Sequence, residues 1–180
     1  MSATQWLDLF NQVVQQLPIT LIMIICALIL ATILGLILTI IRIKQVPYLS
    51  TCVRIYQSFM RSTPLLLQLF LVYFALPQFL LIFHININHF DRLFFIILAF
   101  SLHSAAYLSE VFRAGYLSVD YRQIEAGLSV GLSYPRILKD IIIPQALRNS
   151  IPNLTTQIIE LIKDTSLAFT IGIIDMMGQV

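Results

Sequence analysis

Four long apolar stretches constrain the fold more than any other feature of this sequence. Three of them contain no charged side chain, and the fourth contains three. The stretches are residues 9–41, 62–90, 93–109 and 149–174. An α-helix needs about 20 predominantly apolar residues to cross a bilayer. We therefore predict an all-α integral membrane protein with about four transmembrane helices, surrounded by membrane lipid.

Composition excludes the other classes of chain. Only 11% of the 180 residues are charged and 58% are apolar, whereas a soluble domain has about 25% charged residues. Disordered chains need low hydrophobicity and high net charge. The net charge is only +2, and there is no basic stripe to bind a nucleic acid. We treat residues 1–180 as one transmembrane domain.

The basic residues lie mostly on one side of the predicted spans. Three follow the first span, and five lie between the third and the fourth. They are Arg42, Lys44, Arg54, Arg113, Arg122, Arg136, Lys139 and Arg148. On the opposite side only Arg92 is found. Since cytoplasmic loops carry an excess of Lys and Arg, we predict that the N-terminus is outside and that residues 113–148 form a cytoplasmic loop.

This loop contains signals for two short helices. Asp120 is a good N-cap for the first helix, and Gly131 suits the left-handed position just after its end. Ser133 is placed to cap a second helix, which Pro144 should end. A loop of this length in a small membrane protein indicates a function of its own.

The same loop carries a specific string of residues. It has E-A-G at positions 125–127, glycine at 131 and I-I-I-P at 141–144. This spacing resembles the EAA loop of ABC importer permeases, in which E-A-A precedes a glycine by three residues and I-x-L-P follows nine residues later. Gly127 and Ile143 replace the Ala and Leu of that pattern conservatively.

Three further strings narrow the resemblance to permeases of polar amino-acid ABC importers. They are R-S-T-P-L-L at 61–66, S-A-A-Y at 104–107 and L-I-K-D-T-S-L at 161–167. Ser62 stands where that family typically has Gly. The resemblance extends over residues 17–178. Within this family, the sequence is most similar to permeases for cystine or related amino acids.

The resemblance implies the fold of a type I ABC importer permease. It also implies a transport subunit in the cytoplasmic membrane of a prokaryote, with several partners. These are a separate ABC ATPase, a second permease copy or a paralogue, and an extracytoplasmic amino-acid-binding protein. The ATPase would accept the EAA helix in a groove, a common mode of helix recognition. The coupling residues would be Glu125, Ala126, Gly127, Leu128 and Gly131. Ile124 and Leu128, four residues apart, are expected to supply the apolar docking side.

Energy would have to come from that partner, because the chain has no G-x-x-x-x-G-K-S/T phosphate loop. Cys26 and Cys52 do not have metal-ligand spacing, so we expect no cofactor and no metal. Permeases of this family have one more helix after the K-D-T-S-L segment. We therefore expect a C-terminally incomplete permease domain.

Charges in the fourth span are candidates for substrate contact, because charge at membrane depth is costly and usually functional. Polar residues recur there at helical spacing on one face. They are Asn149, Asn153, Thr156, Glu160 and Lys163 or Asp164. In the functional interpretation, this stripe lines a substrate path and Glu160 receives an amino-acid ammonium, with Asp164 as a further candidate. In the alternative, Glu160 and Lys163 only neutralise each other.

A second candidate site begins at Arg61. Thr63 suits an N-cap and Pro64 the first helical position, so a helix should start inside the apolar region. Such a start presents N–H groups that suit a carboxylate, and Arg61 would add a guanidinium clamp. The alternative is that Arg61 extends to the cytoplasmic interface.

Other polar residues favour structural roles. Glu110 and Arg113 are expected to pair at the interface, His84 and His89 to lie in a solvated outer loop, and His103 to take part in helix packing. Two other functions stay open at this point. One is a membrane-embedded enzyme using polar groups of the third and fourth spans, and the other is an inactive truncated permease.

Overall fold

The computed structural model describes residues 3–173, which form helices and no strand. The α-helices are α1 (Ala3–Ile43), α2 (Leu49–Ser62), α3 (Leu65–Phe70), α4 (Leu76–Leu81), α5 (Arg92–Leu117), α6 (Arg122–Ser129), α7 (Tyr134–Ile137) and α8 (Ile143–Asp164). Two π turns, Leu71–Ala75 and Leu138–Ile142, join α3 to α4 and α7 to α8. A 3-10 helix over Thr165–Ile171 follows α8.

Two helical segments of the described chain are long and apolar enough to cross a membrane unaided, Val14–Ile43 and Arg92–Leu117. The second predicted span corresponds to α3 and α4, which follow α2 at a bend of 112°. Helix α8 takes the place of the fourth predicted span. The end of that predicted span, at residue 174, lies outside the described residues.

The predicted cytoplasmic loop is shorter than expected, because the helices on both sides of it are longer. Helix α5 continues through Glu110 and Arg113 to Leu117, and α8 begins at Ile143. The two charges do not end α5 because they pair one turn apart, with Arg113 Nε donating to Glu110 Oε2 at 3.1 Å. The predicted Glu110–Arg113 pair is thus confirmed.

Small residues let α1 and α5 approach closely. Ala27, Ala31 and Gly35 recur every fourth residue on α1, and both alanines are fully buried. A Cβ on Gly35 would lie only 3.2 Å from Leu108 Cβ. The contact also has a polar tie, because Thr39 Oγ1 lies 2.9 Å from the carbonyl oxygen of Ser109. Close packing of small residues is the usual basis of helix association in membranes.

Helix α8 also packs against α5, through Gly115. A Cβ at Gly115 would overlap the hydroxyl of Ser150 and lie 2.6 Å from the carbonyl oxygen of Ala146. Further along the chain, the Arg92 guanidinium donates to the carbonyl oxygen of Gly172 at 3.2 Å. The described end of the chain is therefore fixed to the start of α5.

We predict that Gly115→Ala destabilises the protein more than Gly35→Ala. The new methyl at 115 meets backbone at 2.6 Å, whereas the methyl at 35 meets its nearest atom at 3.2 Å. Overpacking of this kind costs about 1–3 kcal/mol. Thermal melting in detergent, followed by circular dichroism, should give the lower Tm for Gly115→Ala. Equal melting temperatures would contradict this account of the α5–α8 contact.

Candidate coupling surface and substrate path

Helix α6 is the segment that carries the EAA-like string, and it ends at a left-handed glycine. Gly131 has φ of +81°. Its N–H donates to the Leu128 carbonyl, and the Leu132 N–H donates to the Gly127 carbonyl, each at 3.0 Å. This pair of bonds is a Schellman motif. The prediction that Gly131 occupies the turn after the helix is confirmed.

Gly127 is buried because α7 packs directly on it. A Cβ at position 127 would lie 2.8 Å from both Cγ1 and Cδ1 of Ile137. Ile137 is fully buried in a small core with Ile124 and Ile142. The missing side chain at Gly127 therefore sets the distance between α6 and α7.

The rest of the α6 surface is largely exposed. Glu125, Ala126 and Leu128 lie on it, and Leu128 is 51% exposed. Ile124 is only 4% exposed and points into the small core. The prediction that Ile124 shares the docking side with Leu128 is therefore wrong, because Ile124 is needed to hold α6 against α7. We call Glu125, Ala126 and Leu128 the coupling face.

Pro144 does not end the second loop helix. The chain passes from α7 through the π turn Leu138–Ile142 directly into α8, and the Ile143 N–H donates to the Leu138 carbonyl five residues back. Pro144 lies in the first turn of α8. Proline is tolerated there, because its ring matches the helical backbone and the missing N–H is not required in the first turn. Ser133 does occupy the N-cap position of α7, but its side chain makes no capping bond.

Two glutamines tie α6 to α8. Gln145 Nε2 donates to Gln123 Oε1 at 2.6 Å, and Gln123 Nε2 donates to Gln145 Oε1 at 3.1 Å. Asp120 accepts the Arg122 backbone N–H at 3.0 Å. It thus caps the start of α6 from two residues away, although Tyr121 is in the N-cap position. The Arg122 side chain holds the pKa of the Asp120 carboxyl below its ordinary value.

The predicted break in the second apolar stretch is present at Thr63 and Pro64. Thr63 ends α2 with extended backbone, and Pro64 is in the N-cap position of α3. The prediction that Thr63 itself caps α3 is wrong. Its hydroxyl instead donates to the Phe59 carbonyl at 2.9 Å, because the chain turns sharply away before α3 begins.

Gln68 holds this break together, and sequence reasoning missed it. It is only 4% exposed, and its Nε2 donates to the Met60 carbonyl at 2.8 Å and to the Thr63 hydroxyl at 2.7 Å. Its Oε1 accepts from His103 Nδ1 at 2.9 Å. A polar residue in an apolar run was the available signal, but its partner on α5 is distant in sequence. This bond gives His103 the packing role that we predicted.

Arg61 lies in a cleft of about 480 Å³ that is bordered by α1, α2 and α5. Its guanidinium carbon is 5.7 Å from the centre of the Tyr107 ring. Arg42, Arg54 and Glu110 line the same cleft. The side chain of Arg61 is thus at the mouth of a polar cavity, next to the break at Thr63.

The predicted polar stripe of α8 lies on its exposed face. Asn149, Asn153, Thr156, Glu160 and Lys163 are all exposed in the single chain, and Asp164 is half-buried. Glu160 accepts from Gln157 Nε2 at 2.7 Å. Among the described residues no ion pair joins Glu160 to Lys163, so the alternative in which they neutralise each other has no support. No described contact joins Glu160 to Arg61.

His84 and His89 lie in the exposed segment between α4 and α5, and the His89 ring packs against Phe90. Within residues 3–173, no group of three His, Cys, Asp or Glu side chains has the geometry of a metal site.

Comparison with known proteins identifies the family. A sequence profile for the family described as binding-protein-dependent transport system inner membrane component matches residues 31–180. The chain belongs to this family. The resemblance to ABC importer permeases is therefore confirmed, and the protein is a membrane-embedded transport component.

The permease is similar to two proteins of Bacillus subtilis. It is 43% identical to the probable amino-acid permease protein YxeN, over 99% of this chain and 80% of that protein. It is 38% identical to the L-cystine transport system permease protein TcyL, over 91% of this chain and 68% of that protein.

Its fold is also similar to that of a crystal structure described as an amino acid ABC transporter with histidines. The two chains share 27% identity with a TM-score of 0.84, over 99% of this chain and 80% of that one. The predicted all-α, type I importer permease fold is thereby confirmed.

We predict that Gln68→Leu destabilises the permease by about 1–3 kcal/mol, because it leaves buried acceptors at the helix break without a donor. Gln78→Leu is the matched control, since Gln78 is an exposed glutamine on the neighbouring helix α4. It should change stability by less than about 0.5 kcal/mol. Unfolding by SDS titration in mixed micelles measures both. Similar losses in the two variants would contradict the role given to Gln68.

Proposed function

We propose that the chain is the membrane-spanning subunit of an ATP-driven importer for a polar amino acid, with cystine as the first substrate to test. The exposed coupling face of α6 is the observation that carries this proposal. Relatives named as permeases support transport rather than an enzymatic reaction in the membrane. The N-terminus lies outside, so that α6 faces the cytoplasm and meets a separate ABC ATPase.

Motion of the ATPase reaches the membrane through a short series of contacts. Displacement of α6 acts on α7 through the contact of Gly127 with Ile137. It acts on α8 through the reciprocal bonds of Gln123 and Gln145. Because α7 continues into α8 through a π turn, both contacts act on one continuous helical segment. ATP hydrolysis in the partner would thus tilt α8.

A second permease copy or a paralogue covers the polar face of α8. A charge at the bilayer centre costs about 2.5–3.5 kcal/mol on insertion scales, and the stripe that contains Glu160 is exposed in the single chain. If the polar stripes of two subunits face each other across a shared, hydrated path, the charges no longer contact lipid and the insertion cost is removed. An extracytoplasmic binding protein delivers the amino acid to this path.

Within the path, we assign Arg61 and Thr63 to the α-carboxylate and Glu160 and Asp164 to the α-ammonium. The break beside Thr63 supports the first assignment, because a broken helix at membrane depth suits an anionic group. The exposed position of Glu160 supports the second. The two sites act on the substrate together or in succession as α8 tilts.

We predict that Gly131→Arg abolishes co-purification with the ATPase while insertion into the membrane is retained. Among the described residues other than its two chain neighbours, no atom lies within 4 Å of an added Cβ at position 131, so the new side chain starts in open space. It strains the left-handed backbone and projects beside the coupling face. Stoichiometric recovery of the ATPase from solubilised membranes measures the effect.

Gly131→Asn is the matched variant, because Asn tolerates the left-handed conformation better than other residues. It should retain the ATPase. Normal recovery with Gly131→Arg would contradict the proposed docking.

We predict that Arg61→Gln and Glu160→Gln each raise the substrate concentration for half-maximal uptake by about tenfold or more. This is the change expected when one charge-assisted hydrogen bond to the substrate is lost. Uptake of radiolabelled cystine into vesicles with the complete transporter measures it. Arg61→Gln should also weaken the preference for a free carboxylate over an amide. Arg148→Gln, which removes an exposed cation from α8, is the control. Unchanged half-saturation in Arg61→Gln at normal expression would refute its assignment.

A further inference from the structure

A second cleft opens at the turn between α1 and α2. We call it the elbow cleft. It has a volume of about 270 Å³, and its walls include Arg42, Arg54, Arg113, Tyr48 and Thr51. Among the residues that line it in the described structure, none is acidic. Arg61 and the stripe of α8 do not line it, although Arg42 and Arg54 also border the Arg61 cleft.

Positive charge is in excess around the elbow cleft. Arg113 is hydrogen-bonded to Glu110, and Arg42 approaches the same carboxylate at 4.0 Å. Arg54 has no acidic partner within the described chain; its guanidinium donates to the Thr51 hydroxyl at 3.0 Å. Two of the three guanidinium groups therefore share one carboxylate, and the third has none. A guanidinium that is held in place and lacks a carboxylate is well suited to bind a phosphate oxygen pair.

The position of the cleft relates it to the membrane surface. The elbow directly follows the apolar segment Val14–Ile43, so it lies at a bilayer boundary whichever end of that segment faces the cytoplasm. Tyr48 at the elbow is 87% exposed, and its φ of 63° is uncommon for a tyrosine. Exposed tyrosines at the ends of spans typically lie at the level of the lipid headgroups.

We propose that the elbow cleft binds the phosphate of an anionic phospholipid headgroup. The guanidinium of Arg54 binds the phosphate oxygens, and Arg42 and Arg113 contribute to the attractive field. Free phosphate has the same anionic chemistry, but the position of the cleft at the boundary of the bilayer favours the lipid. Basic pockets between helices at a membrane surface recognise anionic headgroups in this way. The proposal does not rest on the transport function proposed above, although Arg42 and Arg54 also border the Arg61 cleft.

Native mass spectrometry of the full-length chain in detergent tests the proposal, with phosphatidylglycerol and phosphatidylcholine as the two probes. The unmodified protein should retain phosphatidylglycerol in preference to phosphatidylcholine. Arg54→Ala should lower the phosphatidylglycerol-bound fraction about fivefold, because removing one cation near the membrane surface weakens the binding of an anionic lipid by about this factor. Lys44→Ala is the matched control, because Lys44 is a neighbouring exposed cation that does not line the cleft. It should retain the lipid.

Thr51→Glu provides a second variant that keeps all three arginines. Thr51 is exposed in the first turn of α2, where a carboxylate is compatible with the helix, and a glutamate there would occupy the cleft. It should abolish the preference for phosphatidylglycerol. Equal retention of both lipids, or equal losses in Arg54→Ala and Lys44→Ala, would overturn the proposal. Displacement of the lipid by millimolar inorganic phosphate would overturn the lipid assignment.

Discussion

Helix α5 lies between α1 and α8, and the rest of the described structure depends on how closely these helices approach it. Gly35 of α1 and Gly115 of α5 allow backbone contact where any larger side chain would intervene. In lipid there is little hydrophobic force between helices, so close packing and interhelical hydrogen bonds must hold them. The bond from Thr39 to the Ser109 carbonyl supplies one such tie. Gly115 gives α8 its close contact with α5.

The segment that contains α6 and α7 uses the same principle on a smaller scale. Gly127 lets Ile137 sit directly on α6, and the inward side of that helix is occupied in making the contact. The outward side is consequently free to bind a partner. In an eight-residue helix, the buried residues thus hold the fold and the exposed residues are left for the docking that we propose.

Local signals were predictable from the sequence, and long-range ones were not. The break at Pro64 and the left-handed turn at Gly131 follow from properties of the residues themselves. Gln68 could not be assigned, because its partner on α5 is 35 residues away. Ile124 was expected to be available for docking, because its burial depends on contacts with α7 and the π turn that the sequence does not reveal. Pro144 was expected to end a helix, but the π turn before it lets the helix continue.

The most direct test of the account is photo-cross-linking from α6 to the ATPase. In a chain whose two native cysteines are replaced, single cysteines at Ala126, Leu128 or Ile124 would carry a benzophenone label. The account predicts cross-links from the exposed positions 126 and 128 and none from the buried position 124. Cross-links of equal yield from all three positions, or from position 124 alone, would contradict the assignment of the coupling face.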